Sequence, residues 1–547
     1  MERLGFYVMA ENLEKGKIEP GDAAVCVEKL LCFAKNRGLL HPDDMIYARN
    51  ALFYALQIDE PGKGGSLAVQ PSPCDTAIPC LRFLCGYAVQ QGIVQVSLFH
   101  QEQFMAHLMN LLTPPPSRII EQFEIIKNAN GCEAATDWFY ALCRSNDSIR
   151  VDEIARNTVF WEDSPYGKLE ITINLSKPEK DPHEIAMLRD MPESGYPACM
   201  LCLENEGFAG RPSYPSHETL RTIPVKPRGE NWRFQFSPYA YYEEHCIALN
   251  ERHIPMRVDR RTFSLLLSFV GMFPHYFFGS NADLPIVGGS ILNHDHFQGG
   301  RHVFPMDRAE AYASFAHPSF QDVSAGLIRW PMTCVRLISK DAEKLIEAAE
   351  TIREAWHSYN DPARGILSQT NDIPHNTVTP IARRLEDGRY LLHLVLRNNR
   401  TTPEYPLGLF HPHAELHHIK RENIGLIEVM GLFILPGRLQ EELSGLEELL
   451  AGKRMLGHIH PDDALAKHAR WVGDLMKTYG TVHSDEEARA IIRQELATKC
   501  AGVLEDAGVY KLTGEGMEGA KGFLRVAGFM GNAYRAETPA DNSTAQS

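Results

Sequence analysis

The chain has 547 residues, 44% of them hydrophobic and 23% charged, the balance of a soluble globular protein of two to four domains. Its formal net charge of −15 argues against a general nucleic-acid or anionic-membrane surface, though not against a locally basic pocket for a small anion. No run of about 18 apolar residues marks a membrane span, and the N-terminal MERLGFYVMAENLEKGKIEP lacks a secretion signal, so a cytoplasmic location is expected.

Residues from 1 to about 160 read as a helical region. Apolar residues recur at helical spacing in AAVCVEKLLCFAKNRGLL, MIYARNALFYALQI and FMAHLMNLL. The pattern breaks at Pro114-Pro115-Pro116. The texture then becomes strand-like. KLEITINLS alternates, with Leu169, Ile171 and Ile173 on one face, and TLRTIPV, WRFQFSPY and HCIALN follow as strands. DRRTFSLLLSFVGMF reads as a helix capped by Asp259, and SILNHDHFQ as a further strand. A second round comprises the strand TCVRLIS, the amphipathic helix in SKDAEKLIEAAETIREAWHSYND and the strand YLLHLVLRNN. From about 440 the chain turns helical again, with Ser484 and Glu487 as a capping box. Residues 536–547 are small and polar, and disorder is expected there.

The densest chemistry lies in DLPIVGGSILNHDHFQGG, residues 283–300. Side chains two apart on a strand share a face, which groups His294, His296 and Gln298 opposite Asp295 and Phe297. Gly288-Gly289-Ser290 just upstream offers backbone N–H groups and a hydroxyl to phosphate oxygens. Two imidazoles and a carboxamide beside such a turn suit phosphorus chemistry. A neutral imidazole can attack an α-phosphorus, while an amide donates to non-bridging oxygens without competing as a base.

Cys199 and Cys202 form the single C-x-x-C among twelve cysteines. Its spacing is compatible with metal binding, a buried reduced pair or redox chemistry. His253 and His294 are the histidines that could complete a tetrahedral S2N2 zinc site. Arg211, Arg221, Lys226, Arg228 and Arg233 are candidate cations for an anionic substrate. His411, His413, His417 and His418 form a histidine-rich stretch with a weaker metal signal.

YPACMLCLENEGFAGR, SPYAYYEEHCIALNERH, DLPIVGGSILNHDHFQGG, PHNTVTPIARR and LHHIKRENIGLIEVMGLFILPGRL together resemble the class II galactose-1-phosphate uridylyltransferases. The resemblance implies an α/β (α+β) fold of tandem histidine-triad-like units with antiparallel sheets, flanked by helical regions. The units would span 161–310 and 311–440, with helical regions at 1–160 and 441–535. It also implies that His296 is the nucleophile and that Gln298 steadies a uridylylated intermediate. Asn281 and Ser290 would contact phosphates, and Glu428, with Lys420 and Asn423 nearby, the hexose. Cys199, Cys202, His253 and His294 would hold a structural zinc. A second metal site, for which Glu310, His375 and His393 are the nearest residues, is not assigned. Asp295 stands where class I enzymes have proline, and the gap from Ser290 to the nucleophile is one residue longer.

The expected reaction is ping-pong. UDP-glucose uridylylates His296 and releases glucose 1-phosphate, and galactose 1-phosphate then leaves as UDP-galactose. A homodimer is implied, because the family builds its site at a subunit interface. The rivals are a nucleotide hydrolase or dinucleoside-polyphosphate phosphorylase of the same superfamily, and a non-catalytic zinc-stabilised binding module.

Overall fold

The structure, a computed structural model, describes residues 17–59, 76–176, 195–289 and 291–531. Ser290 and the 536–547 tail lie outside these. Helices α1 (Pro20–Asn36), α2 (Met45–Ala55), α3 (Ile78–Gln90), α4 (Leu98–Asn110), α5 (Pro116–Asn130) and α6 (Cys132–Ser145) precede a hairpin of β1 (Thr158–Ser164) and β2 (Gly167–Asn174). Strands β3 (Ile223–Val225), β4 (Trp232–Phe236) and β5 (Cys246–Asn250) lead to α7 (Arg260–Met272), β6 (Phe277–Gly279) and β7 (His296–Gly300). Next come β8 (Ala311–Ala316), β9 (Ser324–Ile328), β10 (Cys334–Ser339), α8 (Ala342–Ser358), β11 (Gln369–Thr370), β12 (Ile373–Pro374), β13 (Asn376–Arg384) and β14 (Tyr390–Asn398). The described residues end with α9 (Leu426–Val429), β15 (Leu432–Pro436), α10 (Leu439–Leu450), α11 (Ala469–Tyr479), α12 (Asp485–Ala507), α13 (Gly514–Val526) and β16 (Met530–Gly531). Helices and mainly antiparallel strands mix in an α+β fold. No helix among the described residues is long and apolar enough to cross a membrane.

The chain divides into two compact units. The first holds Met1–Asn157, Leu175–Ile254 and His294–Gly300. In it, α1 buries Val27, Leu30, Leu31 and Ala34, an i, i+3, i+4, i+7 stripe. Its strands run in the antiparallel order β3, β4, β5, β7, and Leu249 faces His296 while Ile247 faces Gln298. Trp232 of β4 and Phe297 of β7 stack at 4.8 Å with both rings buried, which fixes the face opposite His296.

The second unit holds Thr158–Asn174, Pro255–Asn293 and Arg301–Ser547. Its larger sheet runs β16, β8, β9, β10, β14, β13, β6, all antiparallel. Helices α7 and α8 lie against it, and buried Trp356 of α8 donates to the Thr377 and Arg397 carbonyls. Both helices start at aspartates. Asp259 accepts from Thr262 N at 3.1 Å, and Asp341 accepts from Glu343 N and Lys344 N. A smaller sheet sandwiches β2 between antiparallel β1 and parallel β15, and both faces of β2 are buried along its second half.

The strand expected over SILNHDHFQ is shorter than its sequence pattern. Pairing in β7 begins at His296, and the backbone before it is bent rather than extended. His294 therefore precedes the strand, because its ring is drawn to another cluster.

Candidate active site and metal centre

In the first unit, the turn carrying Cys199 and Cys202, the segment just after β5 and the segment entering β7 converge. The two Sγ atoms are 3.5 Å apart, Cys199 Sγ is 3.2 Å from His294 Nδ1, and Cys202 Sγ is 3.0 Å from His253 Nδ1. All four ligand atoms lie within 4.8 Å of one another. A tetrahedral ion at about 2.3 Å from sulfur and 2.1 Å from nitrogen holds its ligands roughly 3.4–3.8 Å apart, so the four residues fit a metal. The outer contact fits as well. His294 Nε2–H donates to the Asn250 carbonyl at 2.8 Å, which leaves Nδ1 as the lone-pair nitrogen facing the sulfurs. Burial pushes the Cys199 thiol up, but its contact with the His294 ring and the hydrogen bond from Leu201 N outweigh it and hold the group below its usual range, toward the metal-binding thiolate. Burial raises its partner Cys202 to about 12.

Asp295 has a backbone reason to replace proline. Its N–H donates to the Ile254 carbonyl at 2.7 Å, and its own carbonyl accepts from Asn250 N. Proline at 295 has no N–H for the first of these.

His296 is 6% exposed. Its Nδ1–H donates to the His294 carbonyl at 2.8 Å. A carbonyl can only accept, so this bond selects the tautomer whose lone pair is on Nε2. Burial pushes the imidazole down to about 4, leaving it neutral near pH 7. Gln298 is half-buried on the same strand face.

The sequence reading overlooked His245, which precedes β5 two residues before Ile247, the partner of Gln298. Strand alternation puts His245 on the His296–Gln298 face. Its ring is buried against Tyr242 at 4.6 Å. Neither ring nitrogen reaches a partner in good hydrogen-bond geometry. Burial, offset by the neighbouring Gln298 carboxamide, pushes it down to about 4. The signal was the alternation of HCIALN itself, whose first residue is His245. Gly300 closes the strand at φ 149°, where a Cβ would stand 2.7 Å from the Tyr242 ring and 2.8 Å from the Glu244 carbonyl.

The second unit places Asn281 and Glu428. Asn281 Oδ1 accepts from Leu426 N at 2.9 Å. Its carboxamide packs so closely on Gly289 that a Cβ there would meet it at 2.7 Å, and a Cβ on Gly288 would meet the Ala282 carbonyl at 2.4 Å. Gly288 is thus required by backbone crowding, and Gly289 by the Asn281 side chain. Glu428 is buried, ion-paired with Lys420, and accepts from Gly425 N at the start of α9.

Several candidate cations are engaged structurally. Arg221 donates to the carbonyls of Pro114, Glu218 and Leu220 and to Asn110 Oδ1. Arg233 pairs with Glu251, and Arg211 donates to the Tyr196 carbonyl and lies over Tyr214. In the histidine-rich stretch, His411 and His417 bond the Pro412 carbonyl and His418 bonds His468. His413 alone joins possible ligands, Glu415 and Asp506. Among the described residues Glu310, His375 and His393 form no ligand group. His375 bonds Asn399 and Thr370, and His393 accepts from Arg336 at 2.9 Å.

Comparison with known proteins finds two family models. Residues 77–255 match the N-terminal domain of galactose-1-phosphate uridyl transferase, and residues 270–465 match its C-terminal domain. A galactose-1-phosphate uridylyltransferase of Caldanaerobacter subterraneus subsp. tengcongensis is 48% identical over 93% of this chain and 98% of its own length. That of Bacillus subtilis is 45% identical over 92% and 97%. Among solved structures, yeast Ap4A phosphorylase Apa2 covers 61% of this chain and 89% of its own at 12% identity and a TM-score of 0.27, an overlap too slight to carry an argument.

Proposed function

Since the chain belongs to the galactose-1-phosphate uridylyltransferase family, and is therefore a nucleotidyltransferase, we propose that His296 is the group that carries UMP between UDP-glucose and galactose 1-phosphate. The observation behind this is the hydrogen bond from His296 Nδ1 to the His294 carbonyl, which leaves the lone pair of the neutral ring on Nε2. Nε2 attacks the α-phosphorus, the bond to the β-phosphate oxygen breaks, and glucose 1-phosphate departs. A phosphate oxygen of galactose 1-phosphate then attacks the same phosphorus and the phosphorus–nitrogen bond breaks. The Nδ1 bond stabilises the positive imidazole that the first attack creates and the second discharges. Gln298 donates to the non-bridging oxygens, with no basicity to activate water. Asn281 and Ser290 are assigned to the phosphates and Glu428 to the hexose. The hydrolase and phosphorylase alternatives are not favoured by the relatives' names.

Cys199, Cys202, His253 and His294 would hold a structural zinc, whose chemistry is to cross-link the Cys199–Cys202 turn to the segment entering β7. Tandem histidine-triad-like units, a homodimer and a cytoplasmic location belong to the same reading. The test is incubation of the full-length enzyme with radiolabelled UDP-glucose and no acceptor. An acid-labile, base-stable protein label is expected in the wild type and none in His296→Ala. A label of the same amount in His296→Ala would refute the assignment.

A further inference from the structure

The strand face that presents His296 carries one more imidazole, that of His245, which is 4% exposed. Ile247 pairs with Gln298, and side chains two apart on a strand share a face, so His245 stands diagonally across from Gln298. The rings of Tyr241 and Tyr242 lie 5.6 and 4.6 Å from the imidazole, inclined to it by 31° and 37°. Gly300, two residues beyond Gln298, gives Tyr242 the room to do this, since a Cβ there would stand 2.7 Å from the Tyr242 ring. The imidazole is thus held in one orientation.

Both nitrogens of the ring are buried, and neither completes a hydrogen bond. Such burial is costly, and phenylalanine would meet the same two tyrosines without that cost. The polar neighbours of the ring are the Tyr239 carbonyl and the Gln298 carboxamide. Burial keeps the ring neutral, so it has one N–H and one lone pair. The carbonyl can only accept, so the N–H belongs on its side. The lone pair is left for Gln298, from which it can receive only an amide N–H. A carboxamide has two ends of similar shape and opposite polarity. Turned one way it offers a phosphate a donor, and turned the other way it opposes oxygen to oxygen. A fixed lone pair beside it decides between the two, because it attracts the NH2 end and repels the oxygen. The second N–H of the same nitrogen then stays available to the substrate.

We propose that His245 is a positioning residue for uridylyl transfer, which fixes the Gln298 carboxamide with its NH2 end toward the phosphoryl oxygens by accepting one amide N–H on a ring lone pair. This rests on the reading of Gln298 as the donor to those oxygens. Hydrogen bonds of catalytic groups commonly tighten only when substrate is bound, which accounts for the open geometry of the pair.

Single-turnover labelling of the full-length enzyme by radiolabelled UDP-glucose is followed for the wild type, His245→Phe, Gln298→Ala and the double variant. His245→Phe should slow the step roughly tenfold or more, with little change in the UDP-glucose concentration that gives half the maximal rate. Adding His245→Phe to Gln298→Ala should slow it no further, because a residue that acts through the amide has nothing to act on once the amide is gone. A role in packing alone would multiply the two losses. Circular dichroism checks folding, and His245→Asn is taken through the same cycle, so the decision does not depend on one variant. A wild-type rate in both His245 variants overturns the proposal, and so do losses that multiply with that of Gln298→Ala. A Gln298→Ala enzyme as fast as the wild type defeats the reading of Gln298 itself, and the proposal with it.

Discussion

The carbonyl of His294 accepts the Nδ1–H of His296 at 2.8 Å, while the ring of His294 points its own Nδ1 at Cys199 Sγ, 3.2 Å away. One residue thus joins the cysteine–histidine cluster to His296, the proposed nucleophile, its ring serving one and its backbone the other.

Loss of the cluster should therefore be felt at the active site. Cys199→Ser is expected to lower bound zinc, to reduce the melting temperature by roughly 5 °C or more, and to slow uridylylation by loosening the carbonyl that orients His296. Elemental analysis with differential scanning calorimetry checks the first two effects. Zinc content equal to the wild type removes the metal proposal.

Phe297 stacks on Trp232 behind the strand that presents His296. Phe297→Leu keeps an apolar group but loses the stacked plane, and should cost about 1–2 kcal/mol in urea unfolding. Initial rates should show a lower kcat with little change in KM, because the substitution disturbs the support of the proposed nucleophile His296 and not a substrate contact.

The Lys420–Glu428 pair is almost wholly buried. Removing one partner leaves a charge in a poorly solvated place, so Lys420→Met should destabilise by about 3–5 kcal/mol. Adding Glu428→Gln should restore much of that stability without restoring transfer. Recovery of activity in the double variant would separate Glu428 from the hexose.

Glu442 accepts from Lys467, Arg438 and His468. Burial pushes its carboxyl up, but His468, Lys467 and Arg438 outweigh this and bring it down to about 2. A depressed carboxyl adds stability that is complete above its unfolded value of about 4.5 and disappears as pH falls through 2. With the cations partly open to solvent, the contribution is about 1–2 kcal/mol. Glu442→Gln should be less stable at pH 7 by that amount, and its stability should change less than the wild type's between pH 4.5 and 2. Parallel acid-unfolding curves would contradict this.

Much of this architecture was legible from local pattern. The periodicity of α8 and the caps at Asp259, Asp341 and Ser484 depend on neighbours in sequence, and they recur in the structure. The cysteine–histidine cluster was legible because its residue types are rare and chemically matched. Other features depend on remote contacts. The start of β7 was misplaced because the His294 ring bonds across to Cys199, overriding strand alternation. The packing of Gly288 against the Ala282 carbonyl and of Gly289 against the Asn281 carboxamide, which leaves no room for a Cβ, also depends on contacts that local pattern does not show. Arg221 looked like a free cation until four acceptors from separate segments filled its guanidinium.

Strand β2 pairs in parallel with β15, with Glu170 facing Leu432. During synthesis this leaves the β1–β2 hairpin with one unsatisfied edge until on the order of 260 further residues have emerged, roughly 13–50 s at common elongation rates. For that interval the nascent polypeptide displays an apolar ribbon able to capture another ribbon, including the same hairpin on an adjacent ribosome. Slow translation at low temperature, or release of fragments truncated before residue 432, should therefore favour aggregates seeded by this hairpin.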